Sequence, residues 1–127
     1  MRRSELGEAG EAAVARWLAD RGWVVIARNW RCRSGELDIV ALDDDVLVAV
    51  EVKVRRVDVA EPAEWAVTTA KRRRLLATLE EFLAAHPEHG QRLCRIDLVA
   101  VTVDRAGRVV RWRHFPGSVS EGEDGWR

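Results

Sequence analysis

Cysteine is scarce in this 127-residue chain, which has only Cys32 and Cys94. Two are too few for a disulfide scaffold, and they lack any paired-cysteine metal spacing. Both read as buried or half-buried thiols in a reducing setting. Long apolar runs are also missing. None approaches a membrane span, and the start, Met1-Arg2-Arg3-Ser4-Glu5, lacks the apolar stretch of a signal peptide. The expectation is a cytoplasmic protein with no membrane contact. Charge of one sign is absent too, since 21 Lys and Arg balance 21 Asp and Glu. That argues against a protein held to nucleic acid mainly by a global positive field. Local basic clusters remain at Arg28, Arg31 and Arg33, at Lys53, Arg55 and Arg56, and at Lys71-Arg72-Arg73-Arg74. Arginine supplies most of these groups, which fits a nucleotide-composition bias as readily as phosphate recognition.

A hydrophobic fraction of 47% over 127 residues suits a single domain with one core. Leu6, Ala9, Ala13, Val14, Trp17 and Leu18 recur at steps of three and four, which predicts a first helix. Ser4 is suited to cap it and Gly22 to end it. Gly7 and Gly10 weaken its first turns and suggest a close packing partner. From Trp23 the period becomes that of strands: Trp23 to Ala27, Glu36 to Leu42 after a turn at Ser34-Gly35, and Val46 to Val54 after a turn at Asp43-Asp44-Asp45. Pro62 suits a first helical turn. Thr69 is a candidate cap for a longer helix carrying Leu75, Leu76, Leu79, Phe82 and Leu83, stopped by Pro87 and Gly90. Arg95 to Val103 and Arg108 to Phe115 read as two strands around a turn at Asp104 to Gly107. The resulting order is helix, three strands, helix, two strands: an α/β domain over residues 1–116, with a polar, frayed tail over 117–127.

Glu51 and Lys53, two apart in a strand, leave the same face, while Val50, Val52 and Val54 form an apolar row on the other. Glu36 and Asp38 repeat this geometry one hairpin earlier. With the turn taken as Asp43 to Asp45, Asp38 meets Glu51 only after a stagger, so a bulge or twist is expected. A carboxylate in a strand interior costs several kcal/mol unless it is paired or bound to a cation. A divalent ion between two of them removes that penalty, and their oxygens suit Mg²⁺ or Mn²⁺. The backbone carbonyl of Val52 could add a further oxygen. Such a site points to phosphodiester hydrolysis, with Lys53 either helping to deprotonate a water or stabilising transition-state charge. The alternative is a Glu51–Lys53 ion pair on a solvated strand face.

Together, Gly7, Gly10 and Glu11, Arg28-Asn29-Trp30-Arg31, Gly35-Glu36-Leu37-Asp38-Ile39-Val40-Ala41, Val50-Glu51-Val52-Lys53-x-Arg55, Lys71 and Arg95-x-Asp97-Leu98-Val99-Ala100-Val101 form a narrower pattern. Over roughly Leu6 to Val103 the chain resembles the bacterial UPF0102, or YraN-like, family, placed within the PD-(D/E)XK nuclease superfamily. The resemblance implies a restriction-endonuclease-like fold, a central mixed sheet flanked by helices, related to archaeal Holliday-junction resolvases. It also implies Asp38 and Glu51 as metal ligands, Lys53 as the catalytic lysine, and Glu11 as a helical glutamate completing the metal site. Leu37 stands where the superfamily usually has proline.

Around this centre, Glu36 either points into the site beside Asp38 or caps the turn at Gly35. Asp97 either serves the site or anchors Arg95, Arg28 or Arg31. Lys71 and Arg72 to Arg74 are candidate phosphate contacts or a solvated helical face, Arg28, Arg31 and Arg55 are further candidate phosphate contacts, and Trp30 could stack on an unpaired base or close one end of the core. Three functions are compatible with this pattern. They are a Mg²⁺- or Mn²⁺-dependent endonuclease acting on DNA, branched or single-stranded; a nucleic-acid-binding module that works with a protein partner; and a structural or protein-interaction domain. A homodimer is compatible with each.

Overall fold

The computed structural model describes residues 3–57 and 68–119. Helix α1 (Arg3–Asp20) takes in Ser4 as a helical residue rather than beginning after it. Its end is as expected: Gly22 has φ +92°, and Gly22 N–H and Trp23 N–H donate to Ala19 O and Leu18 O at 3.0 and 3.1 Å. Val14 and Leu18 are fully buried, and Leu6 and Trp17 are partly buried beside them. Ala9 is exposed, and buried Gly10 takes its place at the contact. A Cβ on Gly10 would collide with the β-branched side chain of Val54, whereas one on Gly7 would meet nothing within 4 Å. Of the two glycines, only Gly10 serves close packing.

Three antiparallel strands follow: β1 (Val24–Cys32), β2 (Gly35–Asp43) and β3 (Val46–Arg56). Strand β1 runs five residues beyond the expected end at Ala27 and takes in Arg28-Asn29-Trp30-Arg31. An edge strand tolerates such polar residues because one side of it faces solvent. It is kinked by an irregularity between Val25 and Ala27, and Asn29 sits at φ 52°. Helix α2 (Thr69–Ala85) is capped one residue earlier than expected, with Thr68 Oγ1 accepting from Lys71 N–H at 3.2 Å. Its far end closes at His86, followed by a 3₁₀ turn over Pro87–His89. Parallel strands need a long crossover, and α2 supplies it between β3 and β4 (Cys94–Val103), which pair in parallel. Strand β5 (Val109–Val119) returns antiparallel along β4 after the turn at Asp104.

The sheet order is β1-β2-β3-β4-β5. One face packs on α1 through Val14, Leu18, Ile39, Val48, Val50, Val99 and Val101. The other packs on α2 through Val40, Leu47, Ala49, Leu75, Leu79 and Phe82. This mixed sheet between helices is the restriction-endonuclease-like architecture expected. No described helix is long and apolar enough to cross a membrane.

On the α1 face, Asp97 is fully buried yet fully satisfied. It accepts from Arg95 Nε at 2.9 Å, His114 Nε2 at 2.8 Å and Gly117 N–H at 2.8 Å. Burial would raise its pKa, but the bonds from His114, Arg95 and Gly117 outweigh that and hold it below the ordinary carboxylate range. Arg95 also reaches Asp43 at 3.4 Å, and His114 packs edge-on against Trp17 and Trp23. The Gly117 bond explains why β5 passes the expected tail boundary at residue 117: Gly117 to Val119 belong to the strand. The rest of that tail, and Pro62, lie outside the described residues.

Two expectations follow for stability, each read by urea unfolding. Gly10→Ala should destabilise by about 1–3 kcal/mol through overpacking against Val54, whereas Gly7→Ala should stabilise by up to about 1 kcal/mol. Asp97→Ala should cost about 3–5 kcal/mol by stranding Arg95 and His114.

Candidate active site

The β2–β3 hairpin closes through a two-residue loop, Asp44-Asp45, with Asp43 paired to Val46 and Asp44 at φ 53°. Aspartate tolerates that left-handed conformation better than most residues. Pairing then runs Leu42 with Leu47, Val40 with Ala49 and Ile39 with Val50. One more step would set Asp38 opposite Glu51, but regular pairing is lost there: β2 pairs with β1 on either side of Asp38 and not at it, and Leu37 shares the α2-side cluster with Val40, so the expected irregularity falls at Asp38 itself. The ladder ends at Ile39 and Val50, and past it the Asp38 carboxylate replaces a main-chain acceptor: Asp38 Oδ2 takes Val52 N–H at 2.8 Å. Strand alternation sets Glu51 and Lys53 on the same face as Ala49, toward α2, and Asp38 lines the same cleft as Glu51.

Helix α2 and the β1–β2 turn wall the site. Ser34 Oγ donates to Glu81 on α2, and Gly35, at φ +154°, lies so close that a Cβ would sit 3.0 Å from Thr78 Oγ1. The resulting cleft, of about 200 Å³, is lined by Glu36, Asp38, Glu51, Lys71, Arg74 and Thr78, among others. Lys71 Nζ lies 2.7 Å from Glu51 Oε2, and Glu51 is only 9% exposed. Lys53 is within hydrogen-bonding reach of Lys71. These two are the chain's only lysines among 21 basic residues.

Electrostatics separate the four groups. Asp38 has its pKa pushed up to about 8 by burial and by the facing Glu51, against the opposing Val52 N–H. A proton on Asp38 would let it donate to the facing carboxylate of Glu51. Burial and the neighbouring Lys71 lower the pKa of Lys53. Burial works against the charge on Lys71 as well, but its bond to Glu51 prevails and raises its pKa. One amine is therefore fixed as a cation, and the other is biased toward neutrality.

Glu11, from α1, belongs to the same electrostatic group. Burial and then Glu36 raise its pKa, while Arg28 and a hydrogen bond with Asn29 oppose the rise. Its Oε1 is buried without a hydrogen-bond partner. Glu36 is held by Arg31 Nε at 3.0 Å at the rim. Other candidates stand apart. Asp97 is on the opposite face of the sheet and serves Arg95 rather than the site. Trp30 packs edge-on against Phe82, with centroids 5.2 Å apart, and closes the α2-side core. Arg28, Arg31 and Arg73 are exposed, and Arg55 and Arg72 are half-buried, without lining the cleft.

Arg74, one of the expected phosphate contacts, lines the cleft, whereas sequence reasoning missed Thr78 and Asn29. Lys71, Arg74, Leu75 and Thr78 share one helical face by their spacing of three and four, a signal present in the sequence. The rarity of lysine was a second signal, marking Lys71 as well as Lys53.

Every acidic donor at the cleft is a hard carboxylate oxygen. Among the described residues, no three His, Cys, Asp or Glu side chains form a ready-made metal cage. Magnesium needs only one or two carboxylates and keeps its waters, so Asp38 and Glu51 fit it as an open site. The unpartnered Glu11 oxygen supplies a further acceptor at the margin.

The raised pKa of Asp38 fixes a sign. The folded protein holds this proton more tightly than the unfolded chain, so its contribution favours folding below about pH 4. That contribution is lost as pH rises through about 8. Without metal, Asp38→Asn should therefore be more stable than the parent at pH 9, by about 1–3 kcal/mol. The gap should shrink toward pH 5, as followed by thermal melts across pH.

The family described as "Uncharacterised protein family UPF0102" matches residues 10–101. A UPF0102 protein of Roseiflexus castenholzii is 47% identical over 120 residues, covering 94% of this chain and 97% of the relative. One from Chloroflexus aurantiacus is 42% identical over 119 residues, covering 94% and 96%. Another, from Kineococcus radiotolerans, is 48% identical over 105 residues, covering 83% and 86%. With matches of this extent, the chain belongs to the UPF0102 family.

Proposed function

We propose that the protein is a metal-dependent endonuclease of the PD-(D/E)XK kind, related to archaeal Holliday-junction resolvases and cutting phosphodiester bonds in DNA. The observation that carries this reading is the Asp38–Glu51 pair, facing across a hairpin into a cleft with Lys53 on the same sheet face. Asp38 and Glu51 would hold Mg²⁺ or Mn²⁺. The Val52 carbonyl, which leaves the same strand edge as the N–H bonded to Asp38, and Glu11 would support it. The ion supplies Lewis-acid polarisation of the phosphoryl group and acidifies water.

The chain's own residues account for the rest. The lowered proton affinity of Lys53 favours its use as the general base that takes a proton from attacking water. Lys71 and Arg74 put positive charge on the cleft wall, where a phosphodiester would lie. They sit near the start of α2, whose first turn carries no acidic residue. A cation in that first turn opposes the helix dipole; at Lys71 the Glu51 carboxylate offsets this, and a phosphate in the cleft would do the same. A cytoplasmic setting suits DNA as substrate, and cutting both strands of a branched molecule calls for a homodimer or a protein partner.

A second reading has its own observation. The Lys71–Glu51 ion pair satisfies one carboxylate without metal, as in a partner-dependent binding module or a structural domain. Cleavage assays separate the two. With Mn²⁺ or Mg²⁺, the parent protein should cut branched, flapped or single-stranded DNA, and Glu51→Gln and Lys53→Ala should each lose at least about 100-fold in rate. Failure to cut any of these substrates or RNA, alone and with either metal, defeats the nuclease reading.

A further inference from the structure

Building on the reading of this cleft as a metal site, we infer that Lys71 is the resident counter-cation of the metal-free protein. A divalent ion enters by displacing the Lys71 ammonium from Glu51 into the cleft. Lys71 is a positioning residue in this scheme, and its exchange couples metal binding to phosphate binding.

The argument begins with Glu51. A carboxylate this buried, facing a second acid, needs a cation, and Lys71 provides one at 2.7 Å. Lys71 reaches the hairpin from a separate element, α2, through a four-carbon stem that can swing while the helix stays in place. The three residues after it are all arginines, and only this position is lysine. An arginine here would grip Glu51 with a two-pronged, permanently charged fork. Lysine binds as a point charge and is more readily exchanged. Both Lys71 and Arg74, one helical turn apart, line the same cleft. Once released from Glu51, the ammonium joins Arg74 on the wall that faces a phosphodiester. Metal binding would then raise affinity for the phosphate, and by linkage the phosphate would raise affinity for the metal.

The test uses the full chain and Mn²⁺ alone, without nucleic acid, titrated by calorimetry or by electron paramagnetic resonance at a single pH. Lys71→Met removes the competing cation and should bind Mn²⁺ about tenfold more tightly than the parent. Arg74→Gln, which removes a cleft cation not bonded to Glu51, should stay within about twofold of the parent. Metal-free Lys71→Met should melt below the parent, with the gap closing at saturating Mn²⁺. Lys71→Arg retains the charge and should weaken Mn²⁺ binding, which keeps the idea testable if Lys71→Met folds poorly. Equal or weaker Mn²⁺ binding by Lys71→Met, equal or tighter binding by Lys71→Arg, or equal tightening by Arg74→Gln overturns the exchange role while leaving a metal site in place. Absence of Mn²⁺ binding at millimolar levels in the parent and in Lys71→Met overturns the metal site itself, and the exchange role with it.

Discussion

Two acids facing each other just past the last rung of a hairpin set the terms for everything around them. Asp38 and Glu51 are brought together by the β2–β3 register, on a sheet face otherwise given to Val40, Ala49 and Leu47. Asp38 cannot be fully ionised beside Glu51 in such surroundings without help. The protein answers this twice, by raising the proton affinity of Asp38 and by bringing Lys71 onto Glu51. Placing Lys71 in turn depends on α2 starting at the Thr68 cap and lying close to the β1–β2 turn. Gly35 permits that approach, and the Ser34–Glu81 bond fastens it.

Much of this was legible in the chain because strand and helix periods are physical. Alternation along Val46 to Val54 puts Glu51 and Lys53 on one face whatever the fold, and the apolar stripe of the first helix holds at Val14 and Leu18. The register was less legible, for a reason one residue wide. A three-residue turn centred on Asp44 sets Val50 opposite Asp38, whereas the two-residue loop sets Glu51 there. Which loop forms depends on whether Asp44 adopts a positive φ, and an Asp-Asp-Asp run does not announce that. The extent of β1 was hidden for a related reason, since its polar residues are those an edge strand can carry. The partnership of Lys71 with Glu51 is a long-range contact from an element outside the hairpin. The scarcity of lysine was a hint of it.

That scarcity has a chemical meaning. Arginine keeps its charge in nearly any protein environment, whereas lysine can be shifted by burial and by neighbours. Setting two lysines side by side makes them unequal: the one bonded to Glu51 is held charged, and its neighbour pays with a lowered proton affinity. A pair of arginines at these positions would both remain cations and could not supply a base.

The two faces of the sheet then make an internal comparison. On the α1 side, Asp97 is less exposed to solvent than either acid of the cleft, yet its pKa falls, because an arginine, a histidine and a main-chain N–H converge on it. On the α2 side, Asp38 has one main-chain donor and a facing acid, and its pKa rises. Burial is common to both, so burial alone does not decide which way a carboxyl shifts. Satisfaction does. Asp97 has all the positive charge and hydrogen bonds it needs and holds two strands together. Asp38 is left short, beside a cleft large enough to admit an ion and its waters, and that deficit is what a divalent cation would fill.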